Sequence, residues 1–230
     1  MSVLFDVARP RSVKSRANAI SQLLNASYPD AVCSLDFQTP FQLLVATILS
    51  AQCTDERVNK VTPSLFAKYP VPEQLAAANP TDVEQLVRST GFFRAKARSL
   101  VGMATVLCRE FNGDVPTELD ELVTLPGVGR KTGNVIRSVA FRLPGLPVDT
   151  HVGRLARRLR LTSEVDAVKV ERELNELIAP DARGMFSLRL ILHGRAVCTA
   201  RRPACHNCVL SDLCPSAFVV EGSQPSKLAT

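Results

Sequence analysis

The chain has 230 residues, 46% of them apolar, enough to bury a sizeable core in one large domain or two small ones. Trp is absent and aromatics make up only 5%, so the interior must be aliphatic, and no apolar run approaches the roughly 20 residues that cross a bilayer, which excludes a membrane as partner. The net charge of +6 is concentrated: residues 130–160 hold Arg130, Lys131, Arg137, Arg142, Arg154, Arg157, Arg158 and Arg160 against the single acid Asp149, leaving the rest slightly acidic.

A stripe of that kind is the footprint of a polyanion ligand. The opening "MSVLFDVARPRSVKSR" has no apolar segment followed by a small-residue cleavage site, so a cytosolic (cytoplasmic) protein is expected. Seven cysteines then require a role other than disulfides, because the cytosol keeps thiols reduced.

Helix signals run from end to end. Ala17, Ile20, Leu23 and Leu24 form one apolar face. Thr39, with Pro40 behind it and Gln42 three residues on, predicts a capping box opening "PFQLLVATILSAQ", which is apolar nearly all round and therefore buried on every side. Thr54 and Asp55 predict the next helix start, and Thr81 with Glu84 a second capping box whose helix stops at Gly91. A helix is predicted from about Arg94 to Glu110, ending at "NG", and another opens at Thr117. No alternating run with turn chemistry indicates a sheet, so the fold class is all-α. "RLPGLP", from Arg142 to Pro147, reads as a connector, and residues 216–230 read as a loose tail.

The stretch "LPGVGRKTGN", Leu125 to Asn134, joins two short helices. Leu119, Leu122, Val123 and Leu125 mark the first helix, and Val135, Ile136, Val139 and Ala140 the second, running from Arg130 to about Phe141. Glycines at 127 and 129 let backbone N–H groups converge beside a helix start, an arrangement suited to a phosphate. A plain interhelical turn would use the same glycines, but the adjoining cations favour a grip on a nucleic-acid backbone, which fixes register without reading sequence.

Lys131 falls in the first turn of the second helix, where the macrodipole and Arg130 favour the neutral amine, the form in which lysine is a nucleophile. A lysine holding a phosphate is the commoner role. Asp149 stands in "PVDTHVGRLARRL", just before a helix with Val152, Leu155, Ala156 and Leu159 on one face and Arg154, Arg157 and Arg158 on the other. An acid there is ordinarily an N-cap, yet Asp149 is also the one acid among eight cations. His151 is a structural or phosphate-contacting residue.

Cys198, Cys205, Cys208 and Cys214 are spaced C-x6-C-x2-C-x5-C. Four thiolates in so short a loop form a metal site, and spacing alone leaves zinc and a [4Fe-4S] cluster both open. Arg201 and Arg202 lie between the first two ligands, where an ordered loop would display them. Cys33, Cys53 and Cys108 read as buried small hydrophobes.

Taken in order, "PFQLLVATILSAQCTD", "LPGVGRKTGNVI", "PVDTHVGRLARRL", "LHGRAVC" and the cysteine spacing resemble endonuclease III, the iron–sulfur type of helix-hairpin-helix DNA glycosylase with AP-lyase activity, over roughly Lys14 to Pro215. The resemblance implies two helical domains with a DNA-binding cleft between them. One is a six-helix barrel at 33–146 containing the hairpin at about 117–141. The other is an iron–sulfur domain from 1–32 and 147–230, with the cluster loop at 198–214. It further implies a [4Fe-4S] cluster on the four cysteines, Lys131 as nucleophile and Asp149 as catalytic carboxylate. Gln52 and Phe92 are implied to fill the gap left by a flipped nucleotide. Gly127, Val128, Gly129, Arg130, Thr132, His151, Arg154, Arg201 and Arg202 are expected on the DNA, and a monomer acting on double-stranded DNA with a damaged base or abasic site is expected.

Two departures stand out: Phe92 replaces a usually aliphatic wedge, and Gly133 replaces a common alanine at some cost to the helix. The family branch that removes adenine from mismatches resembles Ser or Tyr at the lysine position and carries a further C-terminal domain. A non-catalytic, redox-sensing DNA binder would keep the basic stripe without needing Lys131 and Asp149 together.

Overall fold

The computed structural model describes residues 12–220, so most of the expected tail and the extreme N-terminus lie outside the described residues. Among the described residues there is no strand, and eleven α-helices follow one another with short 3-10 turns between them. They are α1 (Val13–Ser27), α2 (Pro40–Leu49), α3 (Asp55–Lys68), α4 (Pro72–Ala76), α5 (Pro80–Val87), α6 (Phe93–Glu110), α7 (Leu119–Leu122), α8 (Arg130–Val135), α9 (Thr150–Arg158), α10 (Ala167–Leu177) and α11 (Arg183–Ala196). No described helix is long and apolar enough to cross a membrane. The chain divides into two compact units, Val32–Pro147 on one side and the described residues 12–31 with 148–220 on the other.

The Val32–Pro147 unit is organised on α2. Eight of its ten residues are buried, Phe41 and Leu43 through Leu49, as its unbroken apolar run predicts. Thr39 caps it, Oγ1 accepting from the Gln42 amide at 3.2 Å. The expected box closes one residue further out, because Gln42 Oε1 accepts from the Gln38 amide at 2.8 Å rather than from Thr39. Helix α5 likewise begins two residues before the sequence signal. Asn79, not Thr81, is the N-cap; its Oδ1 accepts from the Thr81 amide at 2.9 Å, with Pro80 in the first turn. Leu100, Met103, Ala104 and Leu107 of α6 are fully buried with Val58, Val83, Val87 and Leu122 in one aliphatic core.

Around α7 and α8 the structure corrects the sequence reading twice. Helix α7 has only four residues, starting at Leu119 with Glu118 rather than Thr117 at the cap position, and Val123 is 39% exposed. Thr117 instead offers its carbonyl to Arg137. Helix α8 runs α-helically only to Val135 and continues as a π turn over Ile136–Ala140, the Phe141 amide reaching Ile136 O five residues back.

Gly133 now has a reason: a Cβ there would lie 2.7 Å from Leu119 Cδ1 and 3.5 Å from Leu122 Cβ, so glycine lets the two short helices pack closely. Asn134 staples the end of the unit, Nδ2 donating to Arg130 O at 3.2 Å and Oδ1 accepting from the Leu146 amide at 3.3 Å. "RLPGLP" is therefore no slack connector, since Gly145, Leu146 and Pro147 are buried.

In the other unit α11 packs on α9 and α1. Ala17, Ile20 and Leu24 of α1 are buried, as are Val152, Leu155 and Ala156 of α9, Val170 and Leu174 of α10, and Phe186 and Leu190 of α11. Leu23 is only half-buried. Asp166 caps α10 through the amides of Val168 and Lys169 at 3.1 and 3.0 Å.

Candidate functional site

The hairpin turn uses its two glycines differently. Gly127 has φ +80°, and a Cβ on it would meet Ser99 Cβ at 2.8 Å and Ile48 Cγ2 at 3.5 Å. It is required by conformation and packing. Gly129 has an ordinary extended backbone at the N-cap position of α8, and a Cβ there would meet nothing within 4 Å. The fold does not need that glycine.

No side chain caps α8, whose first amides have no partner within the helix. Val128 departs from expectation: its side chain is 6% exposed within the core, and its amide donates to Leu125 O at 3.0 Å. It anchors the turn inward and is not an open amide for a phosphate. Arg130 and Lys131 are exposed, and Thr132 is half-buried.

Asp149 is the N-cap of α9, Oδ1 accepting from the Val152 amide at 2.8 Å, which fulfils the local role the sequence allowed it. Only one carboxylate oxygen takes that bond, and the residue is half-buried at the edge of a groove lined by Val148, Thr150, Arg157, Val165 and Val170. Lys131 belongs to the Val32–Pro147 unit and Asp149 to the other.

The arginines of α9 do not stand out as a solvated cationic face. Arg154 Nη2 donates to Gly194 O at 2.9 Å and Cys198 O at 3.0 Å, and it lies 3.1 Å from His151 Nδ1. Burial lowers the Arg154 pKa from its ordinary value. Arg158 donates to Thr199 O at 2.7 Å, Ala200 O at 2.8 Å and Cys198 Sγ at 3.2 Å. Arg137 is bound to the carbonyls of Thr117 and Pro144. Arg154, expected on a nucleic acid, is thus tied to the cysteine loop through Cys198 O, and half-buried His151, expected there too, lies against Arg154. Arg201 and Arg202 are exposed on that loop.

The loop from Cys198 to Cys214 has only two single 3-10 turns of its own, Cys205–Asn207 and Ser211–Leu213. Its four cysteines form no disulfide and lie within electrostatic reach of one another. Burial first, and then the sulfurs of Cys198, Cys214 and Cys205, push the Cys208 thiol up to about 11, and Cys214 moves the same way. A set of thiolates that repel one another in a buried place is suited to a cationic centre, which inverts that repulsion. Among the described residues no group of three or more His, Cys, Asp or Glu side chains closes on a single metal ion.

Outer support comes from His193, 1% exposed, with Nε2 3.2 Å from Cys208 Sγ and Nδ1 3.0 Å from the Tyr28 hydroxyl. With a thiolate at 208, one tautomer satisfies both contacts: Nε2–H donates to sulfur and Nδ1 accepts from Tyr28.

Residues 45–180 match the HhH-GPD superfamily of base excision DNA repair proteins, and residues 198–214 match the iron–sulfur binding domain of endonuclease III. The endonuclease III of Synechocystis is 55% identical over 90% of this chain and 94% of its own length, and that of Bacillus subtilis 43% identical over 81% and 86%. A solved non-covalent endonuclease III–DNA complex superposes with a TM-score of 0.82 at 41% identity, covering 88% of this chain and 95% of that one.

The chain belongs to the endonuclease III family. Like its family it is a helix-hairpin-helix DNA glycosylase and AP lyase of base excision repair, and DNA is its partner. Its cofactor is a [4Fe-4S] cluster: the all-thiolate donor set fits it as it would zinc, and the match of residues 198–214 to the iron–sulfur domain decides between the two. An endonuclease III needs four thiolates for this cluster, and no other group of cysteines here is spaced for it: Cys33, Cys53 and Cys108 are scattered and half-buried, Cys33 and Cys53 packing against the core.

Three supporting residues escaped sequence reasoning although a signal existed for each. Lys96 lies on the stripe of Leu100, Met103 and Leu107, and His193 on that of Phe186 and Leu190, so both were marked as inward-facing. Asn134 stands just before the apolar Val135 and Ile136 and is itself buried.

Proposed function

We propose that the chain excises oxidised pyrimidines such as thymine glycol from duplex DNA through Lys131 and cuts the strand 3′ to the resulting abasic site. One observation carries this reading. A relative 42% identical over 88% of this chain has been solved as a trapped endonuclease III–DNA covalent intermediate, and Lys131 is an exposed amine directly after the hairpin turn. A covalent enzyme–DNA adduct requires a nucleophile, and an amine on a sugar C1′ gives one that resolves as a Schiff base.

The damaged nucleotide is rotated out of the stack at a cost of a few kcal/mol, less where the pair is already weakened. Gln52 and Phe92 occupy the gap. Neutral Lys131 Nζ attacks C1′, the C1′–N bond to the base breaks, and the base leaves with its bonding electrons. Asp149 takes the lysine proton or stabilises positive charge on the sugar. Loss of a C2′ proton from the Schiff base then expels the 3′ phosphate by β-elimination.

Gly129 supports the hairpin's part in this. A position with room for a side chain and no conformational need for glycine suits a phosphate approaching the backbone. Cys198, Cys205, Cys208 and Cys214 hold the cluster, which when bound supplies structural cross-linking of the loop that presents Arg201 and Arg202.

Borohydride trapping on duplexes carrying different lesions tests the reading. The wild-type protein is expected to form a covalent adduct on thymine glycol and abasic duplexes. Lys131→Ala is expected to bind abasic duplex yet lose trapping and nicking by at least about 10³-fold. A Lys131→Ala protein that still traps overturns the assignment.

A further inference from the structure

Four non-glycine residues of the Val32–Pro147 unit have left-handed backbone, Asn112, Arg142, Gln52 at φ +52° and Phe92 at φ +45°, and the last two stand on turns expected at the DNA. Such geometry persists only where the surroundings impose it. Both side chains are exposed, Phe92 by 68%, so packing of their own does not impose it.

Between the turns lies Lys96, on the first turn of α6 and only 5% exposed. Its Nζ donates to Leu49 O at 2.9 Å and to Thr90 O at 2.7 Å, both bonds buried. Leu49 ends α2 three residues before Gln52, and Thr90 ends the 3-10 turn two residues before Phe92. No carboxylate pairs with Lys96 among the described residues. Burial lowers its pKa, and the nearby Cys53 sulfur opposes that effect.

A buried ammonium without a counter-ion is unfavourable, and an apolar side chain would suit its stripe with Leu100, Met103 and Leu107. What the ammonium adds is a compact set of rotatable donors, able to bind two carbonyls from separate elements at once. We propose that Lys96 is a positioning residue that locks the Gln52 turn to the Phe92 turn, so that both side chains enter the duplex as one rigid wedge. This rests on the reading of Gln52 and Phe92 as the gap-filling residues. Lys96 acts only through those two turns. Wedge residues on independent turns would each fill part of the gap and let the base restack.

The test uses the cluster-loaded enzyme and thymine glycol duplex with 2-aminopurine beside the lesion, whose fluorescence reports unstacking. Lys96→Met removes the donors while keeping the stem. It is expected to lower the single-turnover excision rate about 10- to 100-fold and to abolish most of the fluorescence rise, leaving affinity for undamaged duplex and absorbance near 400 nm unchanged. Lys96→Gln, which retains a donor, should restore part of both signals, and it replaces the methionine variant should that one fail to fold. Val83→Ala, a core truncation in the same unit, controls for lost stability and should leave the fluorescence rise intact.

In a Gln52→Ala/Phe92→Ala background, Lys96→Met should add less than about twofold, because the coupled parts are already gone. A full additive loss there, or a wild-type fluorescence rise in Lys96→Met, overturns the proposal. Gln52→Ala and Phe92→Ala proteins with wild-type excision would instead show that the wedge reading fails, and the proposal with it.

Discussion

The hairpin turn and the cysteine loop are both short and irregular, yet they are held in opposite ways. The turn is fixed from within: Val128 is buried, its amide closes on Leu125, and Gly127 fits between Ser99 and Ile48. The loop has almost no regular structure, and it is held from outside by Arg154, Arg158 and His193, and by its cluster. A region closed by its own backbone needs no cofactor to keep its shape, whereas one closed by side chains and iron shares its stability with that cofactor.

Removing the iron should separate the two regions most sharply. Cys208→Ser, or iron stripped by a chelator, is expected to abolish absorbance near 400 nm and to release amide protection across 198–214, while hydrogen exchange over 130–140 stays unchanged. Equal loss of protection in the hairpin would break the contrast. Next in size, Arg158→Met leaves Thr199 O and Ala200 O without their donor and removes a bond to Cys198 Sγ. Retention of iron should weaken by about 10- to 100-fold, as for other outer supports of metal ligands, read as the rate of bleaching under chelator.

Within the turn itself the glycines should part company. Gly127→Ala must hold a left-handed alanine against Ser99 and is expected to lower stability by about 1–2 kcal/mol in denaturant unfolding. Gly129→Ala should leave stability unchanged and weaken DNA binding, measured by titration of abasic duplex at fixed salt. An unaffected affinity would remove the close-approach argument. The smallest effect is expected at the loop's exposed cations. Arg201→Ala and Arg202→Ala should each flatten the dependence of log affinity on log salt by about 0.9 and weaken all sequences alike.

How legible these features were depended on whether the signal was local. The buried α2 helix, the caps at Thr39 and Thr54 and the N-cap at Asp149 depend on residues within one turn of each other, and they were readable. Helix starts moved where a better cap lay just upstream, as Asn79 does for Thr81. The nature of Arg154 and Arg158 was not readable, because a sequence shows a positive charge and not the carbonyl 40 residues away that receives it. Gly133 looked like a defect for the same reason, its cause being Leu119 on another helix. Lys131 was recognisable by its place in a motif, and its role still rests on trapping.

The π turn at Ile136–Ala140 has one more implication. A spiral widened by one residue shifts the amide–carbonyl pairing along the turn, and the Ser138 hydroxyl adds a bond to Asn134 O at 2.8 Å at its start. Deleting one residue from this bulge would tighten the coil into an ordinary helix and swing everything beyond it by about a quarter turn, tearing Arg137 from the carbonyls of Thr117 and Pro144. The surplus residue is thus a spacer that sets where the next side chains point.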